Sequence, residues 1–397
     1  MDSTSMAANE GPAALIARLQ HLAPRLGDET DRKAKEECLQ LSKALTAQLE
    51  QPENVAVDMI FSPMIAATVR IAVDLNLFSH IIKHEPITST KLADLSGAEE
   101  LLIIRILRSL TAQHFVEEVA SKTWKATRIT HAMAIEGIAA GHRMLSQLVV
   151  PAVQSAPAYL QERGYSCPSD PKDGFVQYAF NTEKSAFERL SSIPSLLKDF
   201  NSFMGNTMGA RTYWVDWYPI QSRLLDGASP DTALLVDVGA GKGHDLLAYK
   251  EKFPNTGRLV LEDLAAVTDA LEALDPAIEK VSYDFFTEQP IAGARAYFYH
   301  HILHDWSDEQ CLKILARVAS AMTPGYSKLL LHEMIIPEVG ASQFQAMLDM
   351  TMMAFNGGME RTKQQWTALL EKAGLKVVQF WDPAEEGGDG IVEAMKA

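Results

Sequence analysis

The sequence predicts an α/β fold: a largely parallel sheet of seven strands with an antiparallel last hairpin, preceded by an α-helical region of winged-helix outline. Three observations carry this reading. From Asp231 onward short apolar strands alternate with amphipathic helical stretches, the pattern of successive βαβ units. The first of those strands runs straight into a glycine cluster, Gly239-Ala240-Gly241-Lys242-Gly243. Residues 86–130 have the rhythm of two helices followed by a hairpin. At 397 residues the chain is too long for one ordinary domain. The pattern divides it into a helical N-terminal domain over 1–130, a helical connecting and pocket-forming region over 131–230, and the α/β domain over 231–397.

Residues 1–11 are polar and Ala-rich and are expected to be disordered. Ala13 to Leu22 and Lys33 to Leu49 carry apolar residues at helical spacing, and Gln51-Pro52-Glu53-Asn54 interrupts them. Val55 to Leu77 is apolar on most sides, so a helix there must be covered from several directions. It reads either as a core helix or as a subunit interface. No window holds 18 uninterrupted apolar residues, and no basic segment leads into an apolar run at the N-terminus. The sequence therefore predicts no membrane span and no signal peptide. Cys38, Cys167 and Cys311 have neither metal-like nor disulfide-like spacing, which fits a reducing, cytoplasmic compartment without a structural zinc.

Within residues 86–130, Pro86-Ile87-Thr88-Ser89-Thr90 opens a short helix to Ser96, Gly97 turns the chain, and Ala98 to Thr111 forms a longer helix. Phe115-Val116-Glu117 and Trp124-Lys125-Ala126-Thr127 then read as a hairpin. A DNA reader studs its second helix with Arg, Lys, Asn or Gln. Here that helix reads Glu-Glu-Leu-Leu-Ile-Ile-Arg-Ile-Leu-Arg-Ser-Leu, and residues 81–130 hold seven Lys/Arg against six Asp/Glu. With a formal net charge of -15 the whole chain repels phosphate backbones. Nucleic-acid binding is not expected, and the winged-helix outline reads as structural or dimerising.

Residues 131–230 read as mostly helical, with loops around Cys167-Pro168 and Asp170-Pro171. The stretch Phe203, Met204, Met208, Tyr213, Trp214, Trp217, Tyr218 is either core or the wall of a pocket for a flat apolar ligand. Strands are expected at Ala233–Val238, Arg258–Leu261, Val281–Tyr283, Arg295–Tyr299, Ser327–His332, Lys376–Phe380 and Ile391–Ala394. The last two are joined by a Gly-, Pro- and Asp-rich turn that suits a hairpin.

The glycine loop is not a P-loop, because Gly-Lys is followed by Gly rather than Ser or Thr. It fails the G-x-G-x-x-G dinucleotide pattern at His244. G-x-G-x-G preceded by an acidic residue, Asp237, is the pattern of domains that bind S-adenosylmethionine (SAM). The next strand ends in Leu261-Glu262-Asp263, and an acid about 20 residues past the loop suits a ribose diol. Asp284-Phe285 follows the third strand, where a polar group and an apolar face can bracket an adenine.

After the fourth strand comes His300-His301-Ile302-Leu303-His304-Asp305-Trp306-Ser307-Asp308-Glu309. Active residues of such sheets gather at the carboxyl ends of the strands. An imidazole there can take the proton of a phenol, whose pKa is about 10. His304 is the candidate base and Glu333 and Glu360 the candidate groups to orient it. His300 and His301 fit a structural role better. Three histidines in five residues also suit a metal, but no acidic or Cys partner sits at a ligand-like local spacing, so no metal is expected.

These motifs, with Tyr283-Asp284-Phe285-Phe286 and Asn356-Gly357-Gly358-Met359-Glu360-Arg361-Thr362, give the chain from about residue 55 to 397 its resemblance to a known family. It resembles the plant caffeate-type and fungal natural-product O-methyltransferases, SAM-dependent enzymes with a Rossmann-like seven-stranded sheet. The resemblance implies that Asp237, Gly239, Ala240 and Gly241 face the methionine part of SAM, that Asp263 or Glu262 holds the ribose, and that Asp284 and Phe285 hold the adenine. It implies His304 as general base flanked by Glu333 and Glu360, with Asp305 beside the substrate. It also implies a homodimer built through the N-terminal domain. Phe180, Met204, Trp214, Met352, Phe355 and Asn356 are expected to line the acceptor pocket. Ala240 and Lys242 stand where the family commonly has Gly and Thr, and His300 stands where it usually has Lys or Arg, near the cofactor. Some fungal relatives keep the fold and bind SAM yet catalyse dehydrations or pericyclic reactions, which is the alternative activity.

Overall fold

The computed structural model describes residues 10–28, 30–208, 212–271, 274–383 and 387–396, and the side chains of 206–208 lie outside that description. Most of the segment expected to be disordered, and the Met208 side chain, therefore lie outside the described residues. The chain divides into two compact units, Met1–Ala134 and Ile135–Ala397. The helices of 135–230 thus fold with the sheet rather than as a region of their own.

In the first unit α1 (Pro12–Leu22) and α2 (Arg32–Leu49) pack together through Leu15, Leu22, Ala34 and Leu41. Then follow α3 (Pro52–Asp74), α4 (Leu77–His84), β1 (Ile87–Thr88), α5 (Ser89–Ser96), α6 (Glu100–Ala112), β2 (Val116–Ala120), β3 (Thr123–Ala126) and α7 (Arg128–Met133). The Thr88 hydroxyl accepts from Lys91 N to start α5, and Gly97, at φ +71°, ends it in a left-handed turn. Ile103, Ile106, Leu107 and Leu110 recur every three or four residues along α6 and form its buried face. β3 lies between β1 and β2, antiparallel to both, and its Trp124 is buried with Nε1 donating to Thr111 Oγ1 at 3.1 Å.

The α3 helix is not a core helix of this unit. Val69 and Ala72 are its buried residues, whereas Met59, Ile60, Phe61 and Met64 are 60–69% exposed. Among the described residues it is the one helix long and apolar enough to cross a membrane, although Asp58 and Arg70 interrupt it.

The second unit opens with α8 (Glu136–Glu162), α9 (Phe175–Phe180), α10 (Ala186–Ser191) and α11 (Pro194–Met208). The sheet follows as β4 (Ala233–Val238), α12 (His244–Lys252), β5 (Arg258–Asp263), α13 (Ala265–Thr268), β6 (Ile278–Ser282), β7 (Ala296–His300), α14 (Asp308–Ala321) and β8 (Lys328–Glu333). It is completed by β9 (Ile335–Ile336), α15 (Gln343–Asn356), β10 (Arg361–Thr362), α16 (Lys363–Lys372), β11 (Leu375–Trp381) and β12 (Gly390–Lys396). Seven strands form the main sheet in the order β11-β12-β8-β7-β4-β5-β6. β6, β5, β4, β7 and β8 run parallel, while β12 is antiparallel to both β8 and β11.

Alternation along the strands builds two cores. Tyr297, Tyr299, Leu329 and Leu331 face α14 and α16, meeting Ile314, Leu315, Val318, Trp366 and Leu369. Phe298 and Leu330 point the other way, toward Leu246 and Tyr249 of α12 and toward Trp214 and Tyr218. Each fully buried side chain of this size contributes about 1.5–3 kcal/mol. The Trp214 indole is fully buried and stacks on Phe298 at 4.7 Å and Tyr249 at 6.1 Å. The expectation that Trp214 lines the acceptor pocket is thereby corrected: it fills the core on this face of the sheet.

Strand order reverses between β4 and β7, which opens a crevice at the carboxyl ends of the strands. The loops that follow β4, β5, β7 and β8 supply the groups described next.

Candidate active site

The glycine loop follows β4 and begins the turn into α12. Gly239, Gly241 and Gly243 all have positive φ, +73°, +54° and +75°. A side chain at any of the three is disfavoured on backbone grounds. The amides of Gly239 and Ala240 donate to the Glu262 carbonyl, and the Gly241 amide donates to Asp263 Oδ2 at 2.8 Å. A Cβ on Gly241 would meet nothing within 4 Å, so the space above the loop is open.

Alternation separates the two acids that end β5. Asp263 turns to the loop, its other oxygen accepting from Leu264 N at 2.7 Å. Glu262 is fully buried and accepts from Gln289 Nε2 at 2.8 Å. Burial pushes Glu262 up to about 7, against that hydrogen bond. Asp237 at the end of β4 is buried with Oδ2 unpartnered. Its carboxyl is held well above the usual range by burial and then by Asp245 and Asp263. No Lys or Arg among the described residues lies within salt-bridge distance of these three aspartates. Acids gathered at the loop without a Lys or Arg partner are a poor setting for a pyrophosphate and a better one for a cation. SAM, with its sulfonium and ammonium, fits this loop where a dinucleotide does not.

His300 ends β7, and its Nδ1 lies 2.8 Å from Asp245 Oδ2 while its buried Nε2 has no hydrogen-bond partner. Asp284 and Phe285 follow β6. Asp284 Oδ1 accepts from Phe286 N, and Phe285 stands edge-on to Trp306 at 5.9 Å.

His304 lies in a short 3-10 turn, Leu303–Asp305, and is buried. Its Nδ1 is 2.7 Å from Glu360 Oε1, and its Nε2 is 3.8 Å from Asp305 Oδ1. Burial disfavours charge on every member of this group. It holds the His304 imidazole below its ordinary value against the pull of Asp305 and Glu333. It pushes Glu360 to about 8 and Asp305 to about 6, and raises Glu333. Glu333 does not pair with the ring. Its Oε1 accepts from Leu303 N at 2.9 Å and Ile302 N at 3.3 Å, so it fixes the turn that carries His304.

The segment Asn356–Arg361 clasps the same turn. Met359 N donates to the His304 carbonyl at 2.8 Å, and Asn356 Nδ2 donates to the Asp305 carbonyl at 3.2 Å. A Cβ on Gly358 would lie 2.1 Å from the His304 carbonyl oxygen, so the contact requires glycine. The fully buried Arg361 donates to the carbonyls of Leu303, Trp306 and Met359 and to Asp308 Oδ1. Its role was missed from sequence, although it stands inside a motif already singled out.

The histidines find carboxylate partners that local spacing did not offer. Asp245 comes from α12, and Asp389, just before β12, brings Oδ1 to 2.9 Å from His301 Nε2. Four rings pack together here: His300 on His332 at 4.0 Å, His300 on His301 at 4.7 Å, and His301 on His304 at 4.9 Å.

The expected pocket residues separate. Phe355, 6% exposed, meets Phe187 edge-on at 4.9 Å, and Phe187 stacks on Trp306 at 6.1 Å, giving an aromatic wall beside the His304 turn. Phe187 carried no signal in the sequence. Met352 is buried on α15 one turn before Asn356. Phe180 lies under the Arg189 guanidinium, 3.7 Å from ring centroid to Cζ, and Met204 is 38% exposed on α11.

A family model described as an O-methyltransferase domain matches residues 226–376. O-methyltransferase penC of Penicillium thymicola is 61% identical over 393 residues, which cover 99% of this chain and 99% of that one. Among solved structures, LepI in complex with SAM gives a TM-score of 0.87 at 29% identity, covering 98% of this chain and 100% of that chain. A structure described as a pericyclic reaction enzyme gives 0.86 at 30% identity, covering 97% and 99%. With a relative so similar over its whole length, and with the loop and histidine geometry in place, the chain belongs to the O-methyltransferase family of SAM-dependent enzymes.

Proposed function

We propose that this enzyme moves the methyl group of SAM to a phenolic or enolic hydroxyl of a flat, largely apolar secondary metabolite, with His304 as general base. The observation that carries this is the buried His304–Glu360 couple, 2.7 Å apart, at the same sheet crevice as the acid-lined glycine loop. Gly239, Ala240 and Gly241 with Asp237 hold the methionine end, and Asp263 the ribose. Glu262, engaged with Gln289, is set aside from that role. Asp284 and Phe285 hold the adenine, and His300, fixed by Asp245, stands at the cofactor in place of a longer cation.

Bound SAM supplies an electrophilic methyl. The protein's task is to align the acceptor oxygen and to take its proton. With Nδ1–H donating to the Glu360 carboxylate, Nε2 of the neutral His304 ring is free to accept that proton, and Glu360 stabilises the imidazolium that results. Glu333 and Arg361 hold the turn, and Asp305 sits on the Nε2 side. Phe187, Trp306, Phe355, Met352 and Asn356 form the acceptor wall, with Phe180 and Met204 at its helical side.

The first unit serves as a winged-helix dimerisation domain. The exposed apolar residues of α3 meet a second copy, which covers a surface that water would otherwise face. Asp58 and Arg70 within α3 argue for a protein partner over a bilayer. The enzyme works in the cytoplasm on a small molecule and binds neither nucleic acid nor membrane.

A second reading is a SAM-binding enzyme of this fold that performs a dehydration or pericyclic reaction, and the likeness to a pericyclic reaction enzyme favours it. Incubation with methyl-labelled SAM and a panel of phenols and enols separates the two. Label in the product with equimolar S-adenosylhomocysteine supports methyl transfer; product without S-adenosylhomocysteine supports the second reading.

A further inference from the structure

His301 is the one residue of the histidine run that the methyl-transfer account leaves without a role. Its backbone is left-handed, φ +51°, a region uncommon for residues other than glycine and entered mainly by asparagine, aspartate and histidine. Such a conformation is tolerated where surrounding contacts fix it, and it recurs at functional sites. Here His301 N donates to the His332 carbonyl at 3.1 Å, extending the β7–β8 ladder by one bond. The left-handed turn then swings the imidazole sideways, flat against His304, with centroids 4.9 Å apart and planes at 28°. Its Nε2 lies 2.9 Å from Asp389 Oδ1, whose side chain is 3% exposed.

Two imidazole–carboxylate couples therefore lie face to face: Glu360–His304 and Asp389–His301. We infer that His301, held by Asp389, is a cationic positioning residue that acts through His304 by keeping the Glu360–His304 couple in its proton-accepting form. This rests on His304 being the base.

The charges around the two couples support it. His304 is faced by Glu360, Asp305, Glu333, Asp389 and His301, and His301 by Asp389, Glu333 and Glu360, with His300 and His332 behind. Burial opposes charge on His301, but Asp389, Glu333 and Glu360 outweigh it and bring the imidazole to about 9, so it is protonated at neutral pH. That cation opposes protonation of both partners across from it, since it lowers His304 and Glu360 alike. The surplus proton on the His304–Glu360 couple is thus expelled at lower pH than it would be without the His301 cation. A neutral side chain at 301 forfeits this, and a cationic one keeps it.

The test uses full-length enzyme with S-adenosylhomocysteine, labelled at histidine Cε1, titrated by NMR and compared with His301→Asn, His301→Lys and Asp389→Asn. Asparagine tolerates the left-handed backbone, so the first variant removes the charge without adding strain. In wild type one resonance, absent from His301→Asn, stays protonated until about pH 9, and it titrates at lower pH in Asp389→Asn. In His301→Asn the His304 resonance moves its transition to higher pH, and in turnover the acid limb of kcat/KM moves the same way. His301→Lys leaves both near wild type. If His301 titrates as an ordinary histidine, or if Asn and Lys at 301 have the same effect on His304, the inference is overturned. Loss of the base reading is a separate outcome, recognised by full turnover in His304→Ala.

Discussion

His304 Nδ1 and Glu360 Oε1 stand 2.7 Å apart although 56 residues separate them in the chain. The clasp between Asn356–Arg361 and the 303–306 turn brings them together and commits one ring nitrogen to the carboxylate, which under the proposed mechanism leaves the other for the substrate. Glu360→Gln keeps the shape but removes the charge that stabilises the imidazolium. Turnover is expected to fall within the range of about 10²–10⁴-fold associated with general-base help, with S-adenosylhomocysteine affinity unchanged by calorimetry. The couple also sets a pH dependence. Burial raises Glu360 to about 8, and while the couple holds its surplus proton Nε2 cannot accept another. Wild-type turnover therefore rises as pH climbs through neutrality toward that value and is lost as pH falls, which a pH–rate profile checks.

Asp263 and Glu262 are neighbours with different partners, Gly241 N and Gln289 Nε2. Asp263→Ala removes a carboxylate aimed at the glycine loop, and S-adenosylhomocysteine binding is expected to weaken by about 1.5–3 kcal/mol, the range of hydrogen bonds to charged groups. Glu262→Gln, whose partner is the Gln289 amide, is expected to leave that affinity unchanged. Calorimetric titration of both variants distinguishes the two acids.

The α3 surface predicts an oligomeric state. Phe61→Asp places a charge among exposed Met59, Ile60 and Met64. Light scattering after size exclusion is expected to show a dimer for wild type and a monomer for the variant.

Much of the sheet was legible because its strands are apolar on both faces and the loop glycines need positive φ. β6 was the least well placed, expected at Val281–Tyr283 and found at Ile278–Ser282. It is a sheet edge whose Glu279 and Lys280 side chains face water, so its pattern is weak. Trp214 was misread because an aromatic-rich stretch does not reveal whether it faces a pocket or the back of a sheet. The partners of the histidines, Asp245 and Asp389, and the wall residue Phe187 were hidden because they meet the site through tertiary packing alone. Arg361 stood within a recognised motif, yet its duty appears once the carbonyls it gathers are seen.

A buried cluster at the far side of the sheet predicts how stability responds to acid. The fully buried Glu393 takes hydrogen bonds from Arg223, Lys328 and Trp381 Nε1. Burial alone would raise its carboxyl, but those bonds win and hold it below the usual range. Its stabilisation is therefore present above the ordinary carboxylate value and is lost as pH falls through the depressed one. Glu393→Gln is expected to cost about 3 kcal/mol at pH 7 by leaving the buried Lys328 and the half-buried Arg223 without their carboxylate. In urea titrations the gap to wild type narrows as pH drops below about 4.

The most direct test of the account is His304→Ala measured beside wild type with methyl-labelled SAM and an accepted phenol. Label transfer is expected to fall by about 10²–10⁴-fold while S-adenosylhomocysteine binds the variant as it binds wild type. Unchanged label transfer in His304→Ala would contradict it.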